Sequence, residues 1–215
     1  MEKAQKRIGL LGGTFDPVHK GHLHIAEQVL ALAHLDEIQF IPAQKPTHRI
    51  SPQASVEDRQ AMVQLALQDY PFFTLNTIEI ERQGLSYAID TVRALATTEQ
   101  THYFIMGIDS FLQFNTWHQW QHILDYCHII IVNRPGFKTS IPVMLRDFYE
   151  QHFSTNLHST QRSGHLYQLN ILPTPISATH IRHCLAKQQD VSEFLPTVVQ
   201  DYIKQHQLYD RSSEK

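Results

Sequence analysis

Cysteine is nearly missing from this chain of 215 residues, and its scarcity removes several classes of protein at once. Cys127 and Cys184 are the only two. They fit no metal-ligand spacing and are too few for a disulfide framework, so a reduced, cytoplasmic chain is expected. An excess of basic residues is missing too. Eighteen Lys and Arg stand against 21 Asp and Glu, a formal charge of −3, which gives no electrostatic reason to expect DNA or RNA as a partner. Long hydrophobic runs are absent as well. The apolar stretch after the charged N-terminus, Ile8 to Leu11, is far too short for a signal peptide or a membrane span, so no membrane is expected. There is no internal repeat and no low-complexity tract.

What remains is a globular composition, 42% apolar and 18% charged. That is enough for one domain with a real core over residues 1–215, its last part (about 176–215) a helical portion. Histidine is abundant. The fifteen imidazoles are scattered from His19 to His206 with no HExxH pair and no Cys–His cluster, so most are ordinary surface or half-buried residues and no protein-held metal is expected.

Strand and helix patterns alternate along the chain. Ile8–Leu11, Glu37–Pro42, Phe73–Ile80, Tyr103–Met106, His128–Val132 and His165–Leu172 read as strands, several of them apolar on both faces. Helical spacing begins near Leu23 (with Ala26, Leu30 and Ala33). It recurs after Ser55, where Asp58 three residues on suggests a cap, and again after Tyr87, over Trp117–Tyr126, after Thr179 and around Val198–Ile203. Residues 137–163 carry weak periodicity, either a helix with a long loop or an insertion. Alternation of this kind predicts an α/β fold, a Rossmann-like, doubly wound, mostly parallel sheet covered on both faces. Ligands in such folds sit beyond the carboxyl ends of the strands, where this chain places Gly12–His22, Pro42–Arg49, Gly107–Asp109, Arg134 and Ser177–Arg182.

The stretch Gly12-Gly13-Thr14-Phe15-Asp16-Pro17-Val18-His19-Lys20-Gly21-His22 is the most informative. A strand that breaks into glycines and reopens as a helix lets backbone approach an anion and aims unpaired N–H groups at it. There is no GxxxxGK[ST] and no GxGxxG, so neither of the two common phosphate motifs is present. A double glycine followed by His-x-Gly-His remains, and it proposes chemistry on a nucleotide phosphate.

Together with Ile176–Arg182 (ISATHIR), this stretch resembles the HxGH nucleotidyltransferases, and more narrowly the bacterial nicotinate-nucleotide adenylyltransferases. Pro46-Thr47-His48-Arg49, Ser86-Tyr87, Gly107-Ile108-Asp109-Ser110, Asn115-Thr116-Trp117 and Asn133-Arg134-Pro135-Gly136 match in the right order over nearly the whole chain. The resemblance implies transfer of an adenylyl group from ATP to nicotinate mononucleotide, giving deamido-NAD and pyrophosphate, with Mg²⁺ bound with ATP. It implies His19, His22 and Arg182 as catalytic residues that steady the phosphates. It further implies phosphate and ATP contacts from Gly12, Gly13, Thr14, Phe15, His48, Arg49, Gly107, Asp109, Arg134, Ser177 and Thr179. Ser86, Tyr87, Ala88 and Trp117 would hold the nicotinate nucleotide, the indole by stacking on the pyridine ring.

Two positions depart from the family pattern. Thr47 stands where many relatives have a second proline. Ala88 stands where many have Thr, so a hydroxyl contact to the pyridine substituent is lost and backbone N–H groups are left to hold it. Alternatives are an adenylyltransferase for nicotinamide mononucleotide or phosphopantetheine, and a non-catalytic nucleotide-binding module. His19 and the chain length argue against phosphopantetheine. The presence of His19, His22 and Arg182 argues against decayed catalysis.

Overall fold

A computed structural model describes residues 5–47, 51–133, 141–172 and 174–210. Its centre is a six-stranded sheet, β1 (Lys6–Gly13), β2 (Glu37–Pro42), β3 (Phe73–Leu75), β4 (Gln100–Gly107), β5 (His128–Asn133) and β6 (Leu166–Asn170). The strand order is β3-β2-β1-β4-β5-β6 and every pairing is parallel.

Burial explains the apolar runs. Side chains of a strand alternate between faces, and here both faces are covered. Ile8, Leu10, Phe104, Met106, Ile129 and Ile131 enter one core, whereas Leu11, Tyr103, Ile105, Ile130 and Val132 enter the other. Gly9 lies within β1, where an added Cβ would come within 2.6 Å of Ile38 and 2.9 Å of both Leu35 and Ile105. A side chain there would have to push these three methyl ends aside.

The second core is closed by α1 (Lys20–Leu32), α2 (Val56–Ala66), α7 (Ala178–Ala186) and α8 (Thr197–Gln205). The first is closed by α4 (Ala88–Leu95), α6 (Val143–His152) and two 3₁₀ turns, Phe114–Thr116 and Trp120–Asp125. Two short helices complete the chain, α3 (Ile78–Arg82) and α5 (Ile108–Phe111). Among the described residues no helix is long and apolar enough to cross a membrane.

Three sequence expectations are corrected. The strand expected over Phe73–Ile80 stops at Leu75, because the Asn76 side chain accepts a hydrogen bond from the Ile78 N–H (3.0 Å) and turns the chain into α3. The helix expected over Trp117–Tyr126 is a 3₁₀ turn from Trp120, started after Gln119 adopts a left-handed φ of 48°. Helix α1 begins at Lys20 rather than near Leu23, with His19 as its N-cap. The cap expected at Ser55 is present, its hydroxyl accepting the Asp58 N–H at 3.0 Å.

Candidate active site

The order of strands reverses between β1 and β4, so helices leave their carboxyl ends in opposite directions and open a crevice. Gly12 stands one residue before the end of β1, and Gly107 ends β4. No atom lies within 4 Å of where a Cβ would sit on either, so the crevice floor is bare backbone. Asp109 stands exposed in the first turn of α5, beside Gly107.

Beyond Gly13 the chain turns sharply. Phe15 is buried with a φ of 51°, a left-handed conformation that costs a non-glycine residue on the order of 1 kcal/mol or more. Its ring is held edge-on by His22 (centroids 5.0 Å) and against Phe40 (5.6 Å). The two imidazoles of the motif stack, His19 on His22, with centroids 3.7 Å apart. The His19 backbone N–H donates to His22 Nδ1 at 3.3 Å, which leaves the His22 proton on Nε2. His19 is buried, with Nδ1 shielded from solvent and lacking a hydrogen-bond partner. Burial lowers its pKa to about 4, so it is neutral at pH 7. A Cβ at Gly21 would lie 3.0 Å from His19 Nδ1 and 3.4 Å from the Ile176 Cβ. The ring of the first motif and the start of the second therefore share the space above one glycine.

The second motif follows as α7. Ser177 is its N-cap and accepts the His180 N–H at 3.2 Å. Arg182, one turn on, donates from Nη1 to the Asp16 carbonyl (2.7 Å) and from Nη2, at a long 3.4 Å, to the Thr179 hydroxyl. The two motifs, more than 150 residues apart, thus meet through Gly21–Ile176 and Asp16–Arg182.

Behind them lies a group that sequence reasoning missed. Asp16 is buried, and its carboxylate accepts the Gln53 N–H (2.9 Å), the Ala54 N–H (3.1 Å) and the Tyr209 hydroxyl (2.8 Å). Arg59, only 1% exposed, donates to the carbonyls of Thr14 (2.8 Å) and Gln44 (3.3 Å). Burial pulls its pKa down and the Asp16 charge acts against that. Arg59 has a sequence signal, since it shares the inward stripe of α2 with Met62, Val63 and Ala66, where a cation demands a partner. Tyr209 has none, because its partner lies 193 residues away.

The residues expected around the pyridine ring form a separate group. Tyr87 packs on His118 (centroids 4.6 Å), and Trp117 is half-buried, edge-on to Phe114 (5.5 Å) and Phe104 (6.1 Å). Ser86 is stitched to the preceding loop, its N–H donating to the Lys45 carbonyl and its hydroxyl accepting the Lys45 N–H. Helix α4 starts at Ala88 with no side-chain cap, leaving its first N–H groups to other acceptors. Beneath this turn Glu79 is buried, accepting the Thr91 hydroxyl at 2.6 Å. Burial raises its pKa, opposed by hydrogen bonds from Ser86 and Thr91. His48, Arg49 and Arg134 lie outside the described residues. Among the described residues no group of three or more His, Cys, Asp and Glu converges as a metal cage.

A doubly wound parallel sheet with two histidines at its switch point, facing an arginine from a second helix start, is the arrangement of a nucleotidyltransferase. Residues 10–184 match the family described as cytidylyltransferase-like. A protein of Coxiella burnetii (strain RSA 331 / Henzerling II) named "Probable nicotinate-nucleotide adenylyltransferase" is 43% identical over 211 residues, covering 95% of this chain and 98% of its own. One of the same name from Hydrogenovibrio crunogenus is 41% identical over 209 residues, covering 96% and 99%. The fold is that of the Plasmodium falciparum nicotinic acid mononucleotide adenylyltransferase solved with APC, with a TM-score of 0.72 at 19% identity over 95% of this chain and 97% of that one. Within the cytidylyltransferase-like class, the chain belongs to the nicotinate-nucleotide adenylyltransferase family.

Proposed function

We infer that the protein joins ATP to nicotinate mononucleotide, forming deamido-NAD and releasing pyrophosphate, a step of NAD biosynthesis. The family supports the reaction, and one observation of this chain carries it, the junction at which Ile176 meets Gly21 and Arg182 grips the Asp16 carbonyl.

A nucleotide monophosphate has a second pKa of about 6, so at neutral pH its attacking oxygen is already mostly ionised. That oxygen forms the new bond to the α-phosphorus as the bond from phosphorus to the pyrophosphate oxygen breaks. The protein has no proton to remove and forms no covalent intermediate. Its task is to position two anions and offset the charge that gathers between them. His19 and His22 donate N–H bonds to the phosphates. A neutral His19, with its pKa near 4, is a poor base and an adequate hydrogen-bond donor. Arg182 adds a fixed charge on the leaving pyrophosphate, with Ser177 and Thr179 at the same helix start. Gly12, Gly13, Thr14 and Phe15 bring backbone to the triphosphate. His48, Arg49 and Arg134 complete the phosphate contacts, and Gly107 and Asp109 face the adenosine.

Mg²⁺ enters with ATP. It is a hard cation satisfied by phosphate oxygens and water, which suits a site whose buried carboxylate, Asp16, is already engaged by three donors. The metal supplies neutralisation of the triphosphate. Trp117, with the Ser86–Tyr87–Ala88 turn, receives the pyridine ring, and the α4 N–H groups take its carboxylate. Both cysteines are free and buried, which supports a reducing, cytoplasmic setting.

A substrate panel tests the reading. With ATP and Mg²⁺, nicotinate mononucleotide is expected to yield pyrophosphate and deamido-NAD in equal amounts. Turnover with nicotinamide mononucleotide or phosphopantetheine but not with the acid would overturn it.

A further inference from the structure

The carboxylate of Asp16 and the guanidinium of Arg182 lie 3.8 Å apart at their nearest atoms, close enough to attract but too far to hydrogen-bond. That distance matters for the reaction proposed above. An arginine in a full, bidentate pair with its own carboxylate has little left for a phosphate. Here the carboxylate is tied down from the other side. The Gln53 N–H occupies Oδ2, and Oδ1 takes both the Ala54 N–H and the Tyr209 hydroxyl. Arg182 is left with the Asp16 carbonyl as its firm anchor. Its side chain, 23% exposed, opens with Thr179 and His183 into a cleft that Tyr209 also lines.

Tyr209 reaches this place against local cost. After α8 ends, Gln207 and Tyr209 both take left-handed φ values, 52° and 65°, and the Leu208 N–H donates back to the Ile203 carbonyl at 3.0 Å. A non-glycine residue in that region needs contacts to hold it. The hydroxyl on Asp16 is such a contact, and burial with the Asp16 charge keeps the phenol protonated.

We propose that Tyr209 is a positioning residue for the phosphate clamp: by holding Asp16 it keeps Arg182 from closing onto that carboxylate and leaves the guanidinium available to ATP. Without the hydroxyl, the Asp16 charge is shared among fewer donors and draws Arg182 across the 3.8 Å gap. The Ala54 N–H still serves Oδ1, so Tyr209→Phe is expected to fold. The inference rests on the phosphate role of Arg182 given above.

The test is a double-mutant cycle read by calorimetry with α,β-methylene-ATP and Mg²⁺, so that no turnover is needed. Tyr209→Phe is expected to raise the dissociation constant of the analogue about five- to tenfold. Affinity for nicotinate mononucleotide should stay within about twofold, and melting should fall by only a few degrees. In an Arg182→Gln background the same change should have no further effect on the analogue. An equal loss in both backgrounds, or none in the wild type, would overturn the proposal while leaving the role of Arg182 intact. Unaltered analogue affinity in Arg182→Gln alone would instead remove the phosphate role on which it depends.

Discussion

Two buried imidazoles set how this protein should respond to acid. His19 at the N-cap of α1 and His128 at the start of β5 are both held near a pKa of about 4, chiefly by burial. His128 makes the reason visible. Its Nε2 lies 2.9 Å from the Gln161 carbonyl and its Nδ1 accepts the His165 N–H at 3.2 Å. The neutral Nε2–H tautomer satisfies both bonds, whereas a second proton on Nδ1 would oppose a donor. In the unfolded chain both residues return to about 6.5. Between pH 6.5 and 4 the unfolded state therefore binds more protons, and stability falls as pH falls. Each imidazole accounts for about 3 kcal/mol by pH 4 and the pair for about 6. That is a large part of the roughly 5–15 kcal/mol of a typical domain. His102, lowered in the same direction by burial, adds to the trend.

The assay has two parts. Imidazole ¹⁵N shifts of the native protein should show His19 and His128 neutral down to pH 5, with His128 as the Nε2–H tautomer. Urea unfolding from pH 7 to 4.5 should give a slope approaching about 3 kcal/mol per pH unit in its lower half. His128→Asn, though less stable at pH 7, should lose about half of that slope. A native His19 or His128 signal titrating above pH 6, or a flat stability between pH 7 and 5, would refute the reasoning.

Two further outcomes follow from packing. Gly9→Ala should cost about 1–3 kcal/mol, because the methyl meets the Cδ1 ends of Ile38, Leu35 and Ile105 at 2.6–2.9 Å and those side chains must turn aside to admit it; a melting temperature within about 2 °C of wild type would show that they do so freely. Glu79→Gln should flatten the dependence of stability on pH above the ordinary carboxyl range. A buried carboxyl with a raised pKa holds its proton more firmly in the native state, so wild type loses stability as pH rises from the unfolded carboxyl's pKa toward the native one. Parallel curves for variant and wild type would exclude this.

Most of the sheet was legible because a strand buried on both faces has to be an apolar run, and β1, β4 and β5 are. The Phe73–Ile80 stretch misled for a local reason, the side chain of Asn76 competing with the strand for the Ile78 N–H. The site was legible where its parts are contiguous, in Gly12–His22 and Ile176–Arg182. It was not legible where the parts are held from a distance. Asp16 is only one letter of a motif until its three donors arrive from the 53–54 turn and from Tyr209. Nothing about the phenol, taken alone, distinguishes it from any other tyrosine near a chain end.

The glycine between the two motif histidines is better regarded as a seat than as a hinge. The imidazole of His19 occupies the volume that any side chain at position 21 would need, and Ile176 closes the far wall. Positions 19, 21 and 176 therefore form one packed unit. Even a methyl at 21 would lie 3.0–3.1 Å from the ring and oblige it to give by a few tenths of an ångström. A side chain at this apparently minor position would be felt first at the His19 ring, the head of the two-histidine motif.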